Sequence, residues 1–181
     1  MATVPTTHTV AVGDFVTAAD ENTYVRDPQN FWLSRPRCSL YQGTTATTCA
    51  VSGTSYAMNW DTEDYDSDSM HSTSSNTSRI VLNTAGLYTI SVSVYFAANA
   101  TGIRTIDVRK NAAGSGAGGT QIKQFRAGAT SASSGQVNGS CQETFAAGDY
   151  FELFAIQTSG ASLATVTGRA FTFVQAIWEA A

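Results

Sequence analysis

Alternation of apolar and polar residues is the clearest pattern in the chain, and it is strongest after a turn at residues 83–86. The segment that follows has one apolar side and one polar side, a period of two that predicts a half-buried β-strand. Its apolar side consists of Tyr88, Ile90, Val92, Val94 and Phe96. The same alternation recurs at residues 106–108 and 137–145. Short strands separated by turns predict an all-β sandwich or jelly roll over residues 36–181.

The last two predicted strands, at residues 150–156 and 169–178, are apolar on both faces. A strand in a two-layer sandwich buries only one face in the core. The second apolar face therefore predicts a buried contact with another copy of the chain, made by large aromatic side chains. These candidate interface residues are Phe151, Phe154, Phe171, Phe173 and Trp178.

Residues 1–35 differ from the rest of the chain and form an N-terminal arm. Thr17 is a candidate helix N-cap, and Asp20 stands three residues later, in the position of a capping box. This pattern predicts one short helix over residues 18–26, which Pro28 ends. Because so short a helix needs a packing surface, the arm either docks on its own domain or anchors the protein to a partner, and we expect anchoring. The candidate anchoring residues are Phe15, Val16, Tyr24, Phe31, Trp32 and Leu33.

Composition narrows the classes of function. Of the 181 residues only 13% are charged, 44 are Ser or Thr, and the formal net charge is −4. A phosphate-binding surface needs clustered Lys and Arg, so nucleic-acid binding is not expected. No apolar stretch approaches the length of a membrane span, and the N-terminus lacks the pattern of a secretory signal peptide. We therefore expect neither membrane insertion nor secretion.

Few residues suggest metal or nucleotide chemistry. Five carboxylates fall within residues 61–68, and alternation along an extended segment would place Asp64, Asp66 and Asp68 on one face. They are candidate cation ligands, but a solvated edge that discourages aggregation is the interpretation we favour, so no metal is expected.

The glycine run at residues 114–119 is followed by neither a helix nor a P-loop lysine. We expect a hairpin loop there, not a nucleotide site.

No arrangement of residues suggests catalysis, because neither of the two His residues lies near a nucleophile pattern. We expect no enzymatic activity and no cofactor. Cys38 and Cys49 could pair across a hairpin, although reduced, partly buried thiols are favoured. Trp60 and Tyr65, beside the carboxylates, are candidates for a sugar-stacking surface.

Five segments, in order along the chain, resemble the C1q/TNF-like domain. They are WDTEDYDSDSMH at residues 60–71, SRIVLNTAGLYTISV at 78–92, VRKN at 108–111, FAAGDYFEL at 145–153 and GRAFTF at 168–173. The last segment departs from the family's closing Phe-x-Gly-Phe pattern, with Ala and Thr at expected positions. The resemblance implies a ten-stranded jelly-roll β-sandwich that assembles as a homotrimer. It brings no catalytic residues, and the family's calcium ligands have no matching positions here.

Residues 13–27, with the sequence GDFVTAADENTYVRD, are similar to the N-terminal segment of tailed-bacteriophage virion proteins. Together the two resemblances imply a homotrimeric structural protein of the virion, assembled in the host bacterial cytoplasm and attached through the arm. The tail tip or fibre and the capsid, as a decoration protein, are both open as its address. Its partners would be other virion proteins (a tail or major capsid protein), with a host-surface glycan as a further candidate. A receptor- or carbohydrate-binding C1q-like module is the alternative function.

Overall fold

The computed structural model describes residues 2–6, 8, 9, 11–116, 118–129 and 135–181. A helical segment comes first and is made of α1 (Ala18–Glu21), a π-helical turn (Asn22–Arg26) and α2 (Asp27–Leu33). Twelve β-strands follow within the described residues. They are β1 (Arg37–Tyr41), β2 (Thr48–Cys49), β3 (Tyr56–Ala57), β4 (Thr62–Asp66), β5 (Arg79–Val81), β6 (Gly86–Phe96), β7 (Ile103–Lys110), β8 (Thr120–Gly128), β9 (Gly135–Phe145), β10 (Tyr150–Gln157), β11 (Leu163–Ala164) and β12 (Phe173–Ala180).

Ten of these strands build two five-stranded antiparallel sheets. Sheet I has the order β4-β1-β12-β6-β9. Sheet II has the order β3-β10-β7-β8, and β5 pairs with the same edge of β10 as β3. The two remaining strands, β2 and β11, pair with each other, which the sequence pattern did not predict. The predicted all-β, ten-stranded jelly-roll sandwich is confirmed.

The core lies between the two sheets, because the period of two turns every second side chain inward. In sheet I the apolar positions of β6 predicted from the alternation are all buried. In sheet II the inward side chains of β10 are Phe151, Leu153 and Ala155, each 0% exposed. β12 keeps the alternation to its end, with Val174, Ala176 and Trp178 buried.

The helical segment is longer than predicted, because it continues past Pro28 to Leu33. At the end of the π-helical turn the Asp27 N–H donates to the Asn22 carbonyl, five residues back. Pro28 then lies in the first turn of α2, where a missing backbone N–H breaks no helical hydrogen bond. The helical segment therefore accommodates the proline at the start of α2, and the predicted helix end was wrong.

The final strand begins at Phe173, later than the predicted start at residue 169. Gly168 has a φ of +116°, and the Phe171 N–H donates to the Gly168 carbonyl at 2.9 Å. This turn brings the chain into sheet I and leaves Phe171 outside the strand.

Candidate functional site

The helix of the N-terminal arm begins with the predicted capping box. Thr17 Oγ1 accepts a hydrogen bond from the Asp20 N–H at 3.2 Å, and Asp20 Oδ2 accepts one from the Thr17 N–H at 2.9 Å. Hydrogen bonds from the side chain and the backbone of Thr17 lower the pKa of Asp20. The carboxylate therefore remains charged beside the first helical N–H groups.

Both ends of the arm contact the jelly roll. At its start, the Ala2 N–H donates to Asp68 Oδ1 at 2.8 Å and to Thr84 Oγ1 at 3.1 Å. At its end, Phe31 is only 8% exposed, and its ring packs edge-on against Trp178 with the centroids 4.9 Å apart. The prediction that Phe31 is an anchoring residue was wrong, because its ring is buried against its own chain.

Other apolar side chains of the arm lie in solvent. Phe15 is 93% exposed, Val16 57% and Leu33 76%. Trp32 meets the Trp178 ring edge-on at 5.8 Å but is still 56% exposed. Large apolar side chains rarely cluster in solvent unless something covers them. These four predicted anchoring residues therefore keep surface that a partner can bury.

A groove of about 390 Å³ lies between His8 and residues 14–25 of the arm. On one wall the Tyr24 ring stacks on His8 with the centroids 3.8 Å apart, so this predicted anchoring residue is half-buried within the arm. Residues 11–25 contain no Lys or Arg. The acidic residues lining the groove are Asp14, Asp20 and Glu21. The arm thus presents a surface that is both apolar and negatively charged.

The aromatic residues predicted to meet another copy fall into two groups. Phe151 and Phe154 are 0% exposed, and Trp178 lies beneath the arm. Phe154 points away from the main core, but the loop after β7 covers it, since a methyl group at Gly116 would lie 3.4 Å from its ring. These three side chains have no free surface for a subunit contact, so their assignment to an interface was wrong.

Phe171 and Phe173 remain at the surface, on the outer face of sheet I. Phe171 is 43% exposed and packs edge-on against Tyr95 with the centroids 5.4 Å apart. Phe173 is half-buried beside Tyr41, its partner on β1. Sequence reasoning missed both tyrosines as surface residues, although Tyr95 continues the polar side of β6 and its place in the alternation could have revealed it.

The candidate cation ligands are separated by the structure. A β-bulge in the β1–β4 pairing breaks the alternation at Asp64, whose carboxylate accepts a hydrogen bond from Arg169 Nε at 2.7 Å. Asp66 accepts one from the His71 N–H at 2.9 Å, and buried Asp68 accepts one from Thr84 Oγ1 at 2.8 Å. In the described ranges, no three His, Cys, Asp or Glu side chains converge as metal ligands would. The prediction that these three carboxylates share one face was wrong.

Asp61, the first acidic residue of the run, caps a turn. Burial alone would raise its pKa, but backbone N–H groups of Gly43, Thr44 and Thr45 donate to its carboxylate and hold its pKa well below its usual range. Asp61 therefore has a structural role, because its carboxylate holds the turn at residues 43–45.

The candidate sugar-stacking pair does not form, because Trp60 is 0% exposed while Tyr65 lies on the edge strand β4, 39% exposed. Cys38 and Cys49 are both free thiols, as favoured from the sequence, and both are more deeply buried than expected, at 0% exposed. Burial raises the pKa of Cys49 to about 11, so this thiol is protonated at neutral pH.

Among the described residues, no helix is long and apolar enough to cross a membrane.

No protein-family model and no curated protein matches this chain. Several solved structures match its fold. Murine APRIL at pH 5.0 is 10% identical, with a TM-score of 0.59 over 80% of this chain and 98% of that one. Eiger TNF from S. frugiperda is 12% identical, with a TM-score of 0.56 over 81% and 94%. The globular domain of zebrafish complement 1qA protein is 12% identical, with a TM-score of 0.54 over 80% and 97%. The fold is therefore a TNF/C1q-like jelly roll.

Proposed function

We propose that this chain is a homotrimeric structural protein of a tailed-phage virion, attached to the particle through its N-terminal arm. The jelly roll projects from the particle, and the proposal includes no catalysis. The observation that carries it is the arm itself, whose exposed apolar side chains no described part of the chain covers. The similarity of residues 13–27 to phage virion proteins supports this reading of the arm.

The arm's surface also defines the chemistry of its partner. Phe15 and Val16 need an apolar pocket, and the carboxylates beside them favour a rim of Lys or Arg. A tail protein and a major capsid protein are both candidate partners. Immunogold labelling of purified virions with antibody against the chain distinguishes a head from a tail location.

Particle attachment can be tested with two matched valines. Val16 in the arm is 57% exposed, and Val51 in the jelly roll is 58% exposed. Adding a charge at either position costs the isolated protein little, since both side chains already face water. We expect Val16→Asp to abolish co-sedimentation with virions that lack the native protein, and Val51→Asp to leave it unchanged. Attachment of Val16→Asp at the native level would contradict the proposal.

Assembly as a trimer is supported by the resemblance to the C1q/TNF-like domain and by the apolar outer face of sheet I. Light scattering should give three times the chain mass of 19.1 kDa. Phe171 and Ile103 are both 43% exposed, but only Phe171 lies on this face. We expect Phe171→Asp to dissociate the trimer and Ile103→Asp to leave it intact. A native protein that stays monomeric would contradict this part of the proposal.

The alternative function, a receptor- or carbohydrate-binding module, is favoured by one specific observation. A small hollow that contains several polar side chains lies beside β5, on sheet II. Binding there is compatible with a virion role, because the hollow does not include any part of the arm.

A further inference from the structure

A hollow of about 300 Å³ opens where the loop before β5 meets the start of β10. Its lining combines one arginine, one tyrosine ring and the small polar side chains of the loop with His71 and two apolar side chains, Met70 and Val81. The side chains that can form hydrogen bonds with a ligand include Ser69, Ser72, Ser75, Asn76, Arg79 and Tyr150. The volume is at the small end of the range for ligand pockets and suits a single sugar residue.

Within the part of the chain that the structure describes, Arg79 is held in this hollow without a hydrogen bond from its guanidinium. Its guanidinium lies over the Tyr150 ring, 4.6 Å from the centroid, and its side chain is 29% exposed. Its nearest carboxylate is Glu152, 3.7 Å from Nε and beyond hydrogen-bond distance. No described residue accepts a hydrogen bond from this guanidinium. Arg109 and Arg169 differ, because each donates to a carboxylate within 2.8 Å.

Glu152 attracts the guanidinium by its charge although the two groups form no hydrogen bond. Its side chain is 0% exposed, and its two oxygens already accept hydrogen bonds from Ser78 Oγ at 2.6 Å and from the Gly114 N–H at 2.9 Å. The buried carboxylate needs a counter-charge, and Arg79 supplies it across a short gap. The Tyr150 ring and the Glu152 carboxylate together hold the Arg79 guanidinium in one orientation. Its N–H groups can then donate to the acceptor of a ligand.

We propose that this hollow binds the carboxylate of an acidic sugar, such as a uronic or sialic acid residue of a glycan. A guanidinium fork matches the two oxygens of a carboxylate. The hydroxyl and amide groups of Ser72, Ser75 and Asn76 both donate and accept, as recognition of sugar hydroxyls requires. Glu152 cancels part of the positive charge, so a singly charged carboxylate suits the hollow better than a phosphate group.

The site does not depend on the virion role, because every residue in it belongs to one jelly roll. It lies at the β5 edge of sheet II, on the layer opposite the sheet I face proposed for trimer contact. A trimer would present three copies. Three weak sites on one particle-bound trimer would give strong attachment to a surface that carries many acidic sugars.

Nuclear magnetic resonance titration of the full chain tests this proposal, with glucuronic acid and N-acetylneuraminic acid as probes and with glucose and acetate as controls. We expect one of the sugar acids to shift resonances around Tyr150 with a dissociation constant near 1 mM, since a single sugar makes few contacts. Glucose and acetate should each bind at least about tenfold more weakly, because each offers only half of the recognised groups.

Two arginine variants provide the matched comparison. Arg37 also lies over a tyrosine ring, 5.5 Å from the Tyr65 centroid, but on strand β1 of sheet I and outside the hollow. Arg79→Lys should weaken sugar-acid binding by about tenfold or more while the protein keeps its fold, because a lysine cannot offer the planar fork. Arg37→Lys should bind as the native protein does. The proposal is overturned if neither sugar acid binds, if acetate binds as tightly as the sugar acid, or if Arg79→Lys binds normally.

Discussion

Replacing Phe31 with alanine tests whether the arm is part of the folded domain. Phe31 closes α2 onto the jelly roll, with its ring edge-on to Trp178. Trp178 is otherwise fixed by a hydrogen bond from its Nε1 to the Ala85 carbonyl at 3.0 Å. Without the phenyl ring, α2 loses its buried contact and one side of Trp178 becomes open to water.

The expected loss of stability follows from the burial of this ring. Phe31 is 8% exposed, so nearly all of its side chain leaves water on folding. Truncating a buried phenylalanine to alanine costs about 3–5 kcal/mol, and a space that solvent can enter brings the lower end of that range. The edge-on pair with Trp178 accounts for about 1 kcal/mol of this. We therefore expect Phe31→Ala to lower the free energy of unfolding by about 3 kcal/mol.

Urea unfolding at one fixed protein concentration measures this change, because the stability of an oligomer depends on concentration. Tryptophan emission should also move to longer wavelength in the variant, as Trp178 becomes hydrated. Leu33→Ala is the control, since Leu33 is 76% exposed and its truncation should change stability by less than about 0.5 kcal/mol. A loss below about 1 kcal/mol for Phe31→Ala, with unchanged emission, would refute the docked arrangement of the arm.

Two further predictions concern the jelly roll. A hydrogen bond from Asn111 helps to lower the pKa of Asp149 to about 2. Because the folded-state pKa lies below the ordinary value of 3.8, the carboxylate stabilises the fold above about pH 4, and this contribution is lost as the pH falls toward about 2. Asp149→Asn should flatten the pH dependence of urea unfolding in this window, and an unchanged profile would contradict the assignment. Gly116→Ala should cost about 1–3 kcal/mol by crowding Ser55, whereas Gly128→Ala, with nothing within 4 Å, should be nearly neutral in thermal unfolding; equal losses would contradict the packing.

Local signals in the sequence identified the elements whose geometry depends on neighbours along the chain. The capping box at Thr17 and Asp20 needs only residues three apart, and the structure contains both of its hydrogen bonds. The strand β6 was predicted from its period of two, because one face of sheet I packs on sheet II and the other does not. A capping box and a half-buried strand can therefore be predicted, because each depends only on residues that are close together in the sequence.

The second apolar face of β10 could not be interpreted from local signals. Its periodicity shows that Phe154 is covered, but not by which atoms. The cover comes from the loop after β7, where Gly116 approaches the ring closely. The same holds for Trp178, which is covered by Phe31 from 147 positions earlier in the chain. Phe154 and Trp178 are thus buried by other parts of the same chain, so their burial requires no contact between subunits.

The candidate functional residues of the acidic run and of the hollow at Arg79 also depend on strand geometry that the nearby sequence does not predict. The bulge at Asp64 adds one residue to β4, and this single insertion reverses the side on which later residues lie. Arg79 and Tyr150 are 71 positions apart and meet only because β5 pairs with β10. Nothing in the sequence near either residue signals a binding hollow, so only the strand pairing could reveal it.

The docking of both ends of the arm changes how attachment to a particle would work. The Ala2 N–H donates to Asp68 and Thr84, and Phe31 packs on Trp178, so the exposed residues 11–19 lie between two docked ends and form a loop. A closed loop samples fewer conformations than a tail, and it loses less conformational entropy when a partner orders it. In a trimer, three such loops would be held in fixed positions on the three subunits. The geometry of the trimer would then set the spacing of their partner sites, and attachment would be selective for a particle surface with matching threefold spacing.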